Sequence, residues 1–282
     1  MTSSATQPDS GILLVDKPAG VTSHDVVFDT RRRLSRAAGR RVKTGHAGTL
    51  DPFATGLLVI LVGRATRLQR YLQHQSKRYI ATARLGWKST SGDSDGELTH
   101  TGRVPEDPQL PTGVLELPVP ALSAIKVDGE RLYAKARRGE DFAPPVREMT
   151  VYRAERMELT GETAVFEIDC AGGTYIRSVV DTLEDAYCAE LRRTRVGGLK
   201  IEDADPGRIL DPLDVLSHLP RRDLDGGEAQ ALIHGRTLVS EPFDGPVRLV
   251  HEGRLLGVGR ENDGTLASET ILAASVEELL AR

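Results

Sequence analysis

The sequence predicts an α+β protein with a small β-rich C-terminal part. Helical and strand-like periodicities interleave along the chain without the regular alternation that builds a doubly wound sheet. The longest unbroken apolar run, Leu57–Val62, has the length and β-branched content of an interior strand. Beyond about residue 223, short strand-like stretches are separated by turn residues at close spacing. With 282 residues, 39% of them hydrophobic, the chain can fill one large core with an appendage, or two cores.

Taken in order, Gly11–Asp16 (GILLVD) reads as a buried strand closed by the turn KPAG. Thr22 and Asp25 have capping-box spacing, after which Val26, Val27, Thr30 and Leu34 fall near helical intervals. That helix would carry arginines on its outer face and end at Gly39. After the strand LLVILVG, ATRLQRYLQHQ makes a short amphipathic helix through Leu68, Tyr71 and Leu72. Lys77–Gly86 then alternates as a strand, with Tyr79, Ala81, Ala83 and Leu85 on one face. Ser89–Gly102 is turn-rich. Its Asp93-x-Asp95-Gly96 lacks the remaining ligands of a calcium loop and reads as a turn. Ser123–Gly139 gives a strand, a Val-Asp-Gly turn and a basic helix. TVYRAERMEL and TAVFEIDCAGG are strands, and TYIRSVVDTLEDAYCAEL a strand-to-helix passage. A seam at His218–Glu228 divides the chain into residues 1–222 and 223–282; in the second part AQALIHG forms a helix and VRLVHEG and LLGVGRENDGTL form strands.

Composition narrows the function. Two cysteines, Cys170 and Cys188, cannot make a disulfide framework, and a reducing cytoplasm is expected. The polar start MTSSATQPDSG reads as a frayed tail rather than a signal peptide, and no apolar run is long enough to span a bilayer. The net charge of −4 hides an asymmetry: residues 1–88 hold 15 Lys/Arg against 5 Asp/Glu, and the remainder 22 against 36. Arg31–Lys43 (RRRLSRAAGRRVK) carries seven basic residues and no acid. A charge run is ordinarily a solvated face. This one is unbroken by carboxylates and leads directly into an unusual loop, which favours a polyanion-binding patch.

That loop is GHAGTLDPFATG, residues 45–56. Pro52 biases Asp51 towards extended geometry, and Gly45, Gly48 and Gly56 permit a tight path, so the loop would aim the carboxylate. On this stretch alone, an Asx-type turn leading into a strand is the commoner fate of an Asp-Pro pair. His46 alone would be a loop hydrogen-bonder. No P-loop, GxGxxG after a strand, zinc spacing or GxSxG elbow is present.

Together with VDKPAGVTSHD, KTGHAGTLDPFATGLL, KRYIATARLG, SAIKVDGERLYAKARRG, GGTYIRSVVDTL and LRRTRVGGL, in that order from residue 11 to about 199, the loop resembles the TruB family of bacterial tRNA pseudouridine synthases. The C-terminal HGRTL, VRLV and LLGVG are similar, less specifically, to a PUA-type RNA-binding module. The resemblance implies the pseudouridine synthase fold: a mixed, mainly antiparallel sheet flanked by helices, with a PUA-like C-terminal domain. An inserted segment at about 105–150 would clasp the RNA. It also implies isomerisation of uridine at position 55 in the tRNA T-loop, without a cofactor. The enzyme is expected to be cytoplasmic and, since nothing in the sequence suggests an obligate oligomer, a monomer. The N1–C1′ bond breaks, the uracil turns over, and C5 joins C1′.

By the same resemblance Asp51 is the catalytic aspartate, acting at C1′, at C6 or through a glycal. Arg177 pairs with it, and such a contact lowers an aspartate pKa by about 1–3 units. Tyr79 stacks on the base. His46 fills the space of the flipped-out nucleotide, Lys17 and Pro18 support the loop, and Leu191 is an apolar wall. Arg31, Arg32, Arg33, Arg40, Arg41, Lys126, Arg137 and Arg138 are candidate RNA contacts. For any one of them plain solubility is as good a reading. Two stretches depart from the family pattern. The segment between GTYIR and LRRTR is shorter, which bears on Leu191, and a double proline ahead of the SA-x-K motif is loosened to LPVPALSAIK. Two rivals remain: a non-catalytic tRNA-binding folding chaperone, alone or as a second role, and a hydrolase using Asp51. The hydrolase would need a second carboxylate, and no other acid stands in a comparable loop.

Overall fold

The computed structural model describes residues 10–120 and 143–281, with backbone alone at 126–127 and 130–131. The expected N-terminal tail, the basic helix with Arg137 and Arg138, and the side chain of Lys126 lie outside the described residues. The remaining architecture is a mostly antiparallel sheet with few helices, as expected, followed by a smaller sheet.

Strand β1 (Gly11–Lys17) leads through an exposed turn into helix α1 (Ser23–Ala38), which starts at Thr22 with a complete capping box to Asp25. Val27, Thr30 and Leu34 are buried beneath it, and Gly39 ends it in the left-handed region at φ 62°. Strands β2 (Thr44–His46) and β3 (Thr55–Val62) bracket the Asp51 loop. β3 is buried along nearly its whole length, which is why it is apolar without alternation. The expected helix after β3 is divided: a 3₁₀ stretch, Gly63–Leu68, precedes α2 (Gln69–Gln73). β4 (Lys77–Leu85) then alternates strictly between buried and half-buried positions.

Beyond it come β5 (Trp87–Ser89), β6 (Leu98–His100), β7 (Gly113–Pro118), the short pair β8 (Lys126–Val127) and β9 (Glu130–Arg131), β10 (Val146–Thr160) and β11 (Thr163–Cys170). The TYIRSVVDTLEDAYCAEL segment runs opposite to expectation, helix first and strand second. α3 (Ile176–Asp181) is stopped by a tight turn with Glu184 at φ 65°, and β12 (Ala186–Val196) follows. The helical propensity of its Ala-Glu-Leu is overridden because Ala186, Cys188 and Leu191 become buried against β4. β13 (Leu199–Lys200) and β14 (Ile209–Leu210) complete the large sheet, whose main path is β14-β1-β3-β12-β4-β11-β10-β7.

In the small sheet, β15 (Arg221–Asp223), β16 (Leu238–Val239), β17 (Pro246–His251), β18 (Arg254–Asn262) and β19 (Thr265–Ile271) run in the order β15-β17-β18-β19-β16. It shares a core with the large one: Leu255, Val258 and Leu272 pack in the same cluster as Ile12, Leu57 and Leu61. Arg64 and Arg67 donate to the Leu272 and Ile271 carbonyls, and Arg70 pairs with Glu269.

The feature that positions the site is the junction of β3 with β12, the one parallel pairing among the described strands of the large sheet. It spans two residue pairs, Arg192 with Thr55 and Arg193 with Gly56. Gly56 sits at φ 101°, and a β-carbon there would lie 2.3 Å from the Arg193 carbonyl oxygen. No side chain fits between the two backbones. Gly56→Ala is expected to lower the unfolding free energy by ~3 kcal/mol or more, measured by urea denaturation.

Candidate active site

The loop between β2 and β3 is held by its backbone on both sides of Asp51. Before it, Ser23 at the start of α1 accepts from the Leu50 N–H and donates to the Leu50 carbonyl, both at 2.8 Å. After it, the Pro52 carbonyl accepts from the Gly20 N–H at 2.9 Å and the Lys17 ammonium at 3.2 Å. Lys17 is fully buried and also donates to the carbonyls of Pro18 and Val21 at 2.9 and 2.7 Å. The Pro18 ring is exposed, and that carbonyl is its link to the site. Of the loop glycines, Gly48 and Gly56 have positive φ; Gly45 is an ordinary residue of β2.

From the other side, Arg193 reaches under the loop. It is 1% exposed and donates from Nε to the Leu57 carbonyl at 2.7 Å, and from its terminal nitrogens to Gly48 and Thr49 at 3.1 and 3.3 Å. Since residues two apart on a strand share a face, Leu191 and Arg193 of β12 point together, as do Lys77 and Tyr79 of β4. All four line one cavity of about 330 Å³ with Asp51 and Arg177. That volume lies at the lower end of the ~300–1,000 Å³ typical of small-molecule sites. The short connection between Arg177 and Leu191 thus delivers both residues to the cavity.

Arg177, on α3, donates to Asp51 at 3.0 Å and to Asp93 at 2.8 Å. The guanidinium is therefore shared. Asp93 is 4% exposed, accepts a short hydrogen bond from the Ser91 hydroxyl, and lies behind the cavity lining. This corrects two expectations. The Asp93 stretch is more than a turn, because its carboxylate is half of a long-range ion-pair network. Also, a second acid does stand beside Asp51, though it is locked on Arg177 rather than facing the cavity.

The electrostatics correct a third. The Asp51 carboxyl is held above the usual carboxylate range, not below it. Removal from water raises it, Arg177 opposes, and the neighbouring charge of Asp93 raises it again. Tyr79, 6% exposed, is pushed up by burial against the pull of Arg193 and stays a neutral phenol. Lys77 is lowered to about 8 by burial and then by Arg193. His46 is lowered by burial first, so it is a neutral imidazole at physiological pH. Its Nδ1 is buried without a hydrogen-bond partner, and the ring does not line the cavity.

Arg32, Arg33, Arg40 and Arg41 are exposed on and after α1, with Arg33 donating to the Pro206 carbonyl at 2.6 Å. Arg31 is half-buried, its guanidinium 5.2 Å from the centre of the Phe28 ring. No three His, Cys, Asp or Glu side chains gather into a metal-sized cluster among the described residues. No described helix is long and apolar enough to cross a membrane.

Residues 32–176 match the TruB family pseudouridylate synthase N-terminal domain. The chain belongs to the TruB family. A tRNA pseudouridine synthase B of Thermobifida fusca (strain YX) is 38% identical over 303 aligned positions, covering 94% of this chain and 99% of that protein. One from Aromatoleum aromaticum is 37% identical, covering 93% and 92%. In fold, a chain from the crystal structure of a Cbf5–Nop10–Gar1 complex superposes with a TM-score of 0.66 over 96% of this chain and 87% of its own, at 22% identity. This TruB-family site involves three residues, Lys77, Arg193 and Asp93, to which sequence reading assigned no role in it. Lys77 and Arg193 carried a signal, since they share parity with Tyr79 and Leu191. Asp93 carried none, because its partner is 84 residues away.

Since the Asp93 charge disfavours ionisation of Asp51, removing it acts in one direction. In Asp93→Asn the Asp51 carboxyl is expected to titrate at lower pH than in the parent, read from its carbon-13 shift.

Proposed function

We propose that the chain isomerises uridine to pseudouridine at position 55 in the T-loop of tRNA. The carrying observation is the arrangement of Asp51, Arg177 and Tyr79 around one nucleoside-sized cavity in a TruB-family chain. The named relatives are tRNA pseudouridine synthases B, which supports tRNA as the substrate.

The reaction breaks N1–C1′ and forms C5–C1′ within one molecule, so it consumes nothing beyond the substrate. It needs a negatively charged group at the reacting nucleoside, a path for the C5 proton, and walls that retain the detached uracil. In this reading Asp51 supplies the charge, fixed by its clamped neighbours and by Arg177. Tyr79 supplies a ring against which the base stacks, worth roughly 1–3 kcal/mol. Leu191 closes the apolar side. Because Tyr79 keeps its proton, it enters proton transfer as a donor. The target uridine must leave its stack, at a cost of a few kcal/mol, and the neutral ring of His46 suits stacking into the vacated space. The arginines of and beyond α1 would meet phosphates, the segment at about 105–150 would clasp the T-arm, and residues 223–282, which carry most of the small sheet, would serve as a PUA-like RNA-binding domain.

The elevated carboxyl gives the pH sign. Protonation of Asp51 removes the reactive charge, so turnover falls on the acid side at a pH above that of an ordinary aspartate. Asp51→Asn is expected to lower turnover of a tRNA transcript by at least ~10⁴-fold, with RNA affinity changed less than threefold. Carbodiimide-dependent reverse-transcription stops map the product. Release of free uracil would identify a hydrolase instead, and wild-type binding without any stop would identify a chaperone without chemistry.

A further inference from the structure

The cavity and its surroundings are electrically divided. At one end two carboxylates, Asp51 and Asp93, share the guanidinium of Arg177, and Lys17 acts on Asp51 from beneath the loop. At the other, Lys77 and Arg193 form part of the wall, and no carboxylate acts on Lys77 there. All three cations are buried, and none forms an ion pair among the described residues. The ammoniums of Lys17 and Lys77 donate to peptide carbonyls, and Arg193 to carbonyls and the Tyr79 hydroxyl; such neutral acceptors solvate a cation without neutralising it. A buried charge lacking a counter-charge is costly.

Lys77 differs from the other two. Lys17 directs its ammonium at three carbonyls, and Arg193 gives Nε to the Leu57 carbonyl of β3 and its terminal nitrogens to the loop carbonyls of Gly48 and Thr49. Lys77 donates to two carbonyls, Gln73 and Gln75 at the end of α2, both at 2.8 Å. An ammonium has three protons, so one remains, on a side chain that forms cavity wall. The groups facing it are Arg193 from β12, Cys170 from β11 and the carbonyls that end α2; no carboxylate is among them.

We propose that Lys77 binds a backbone phosphate of the nucleotide whose base and sugar rest against Tyr79 and Asp51, so that the divided cavity matches the divided charge of a nucleotide. This rests on the RNA reading above. Uracil and ribose are neutral, and the phosphodiester is the one group of the ligand carrying the missing charge. Lysine suits it as a point charge. Burial beside Arg193 leaves the free amine titrating at about 8, so phosphate binding draws in a proton on the alkaline side of that value.

The test is a cycle between protein and RNA. T-arm stem-loops carry uncharged methylphosphonates, one at a time, at the linkages flanking the target uridine. Affinity is measured with Asp51→Asn and with Asp51→Asn carrying Lys77→Met, so that no turnover intervenes. One linkage is expected to weaken binding about tenfold when Lys77 is present and to have no further effect in Lys77→Met. Lys77→Arg should keep most of the affinity. For the protein retaining Lys77, proton uptake on binding at pH 9 should vanish at that same linkage, which needs no Lys77 variant to fold. Losses that multiply at every linkage, with proton uptake unchanged, overturn the proposal. So does a Lys77→Met that slows turnover while leaving affinity intact, since that assigns Lys77 to proton movement. Wild-type turnover of the unmodified stem-loop is scored separately, so failure of the pseudouridine reading does not masquerade as failure of this one.

Discussion

Asp51 is held by the peptide groups on either side of it, and the rest of the site depends on that. Its own side chain is about one-third exposed and could sample several rotamers on a free loop. Here Leu50 is bonded at both its N–H and its carbonyl by Ser23, and Pro52 is bonded by Gly20 and Lys17. The α1 capping motif, the β1 terminus and the Asp51 loop therefore form one unit. This explains why the stretches around Lys17, Thr22 and Gly45 sit together in space though they are separate in sequence. It is also why the junction tolerates no β-carbon at Gly56. The Arg193 backbone touches that glycine, and the Arg193 side chain then carries on to the loop carbonyls. Preorganised charge is effective because no reorganisation is needed at the moment of reaction.

A second constraint follows from the sharing of Arg177. One guanidinium facing two carboxylates cannot fully compensate either. Asp93, hydrogen-bonded by Ser91 and absent from the cavity lining, takes the shorter contact, and Asp51 the longer. An aspartate paired alone with arginine would be a weaker base and a weaker nucleophile than one held above its usual range. The arrangement thus fixes the carboxylate in place while keeping it a stronger base. The simple expectation of one acid and one base in contact captured the contact and misjudged its consequence.

How far the sequence disclosed this depends on the range of the interaction. Local devices were legible: the Thr22–Asp25 capping box, the Gly39 stop, the unbroken burial of Leu57–Val62 and the alternating face of Tyr79, Ala81, Ala83 and Leu85 all stand as read. The motifs that suggested the TruB family lie on elements that converge, so Asp51, Arg177, Tyr79 and Leu191 meet in one cavity. What was illegible came from pairings across the chain. The Ala186–Leu191 half of β12 reads as helix until β4 is there to pair with it, and Asp93 reads as a turn residue until Arg177 reaches it. His46 belongs to the same class. Its glycine neighbours were visible, while its buried Nδ1 and its place outside the cavity lining are set by β3.

The burial of Lys17, Lys77 and Arg193 links these levels. Each is an expensive residue to bury, and an apolar replacement could fill the same volume. Each instead satisfies carbonyls that the tight path of the loop, or the end of α2, leaves without regular partners, as buried peptide groups require. The loop must avoid regular secondary structure in order to present Asp51, so its carbonyls need donors from elsewhere. Lysine and arginine reach furthest and donate most. The positive charge that comes with those donors is then a by-product of the backbone geometry. It is a useful by-product in a site whose ligand is a polyanion, because the same residues that shape the loop also set the sign of the field that the ligand meets.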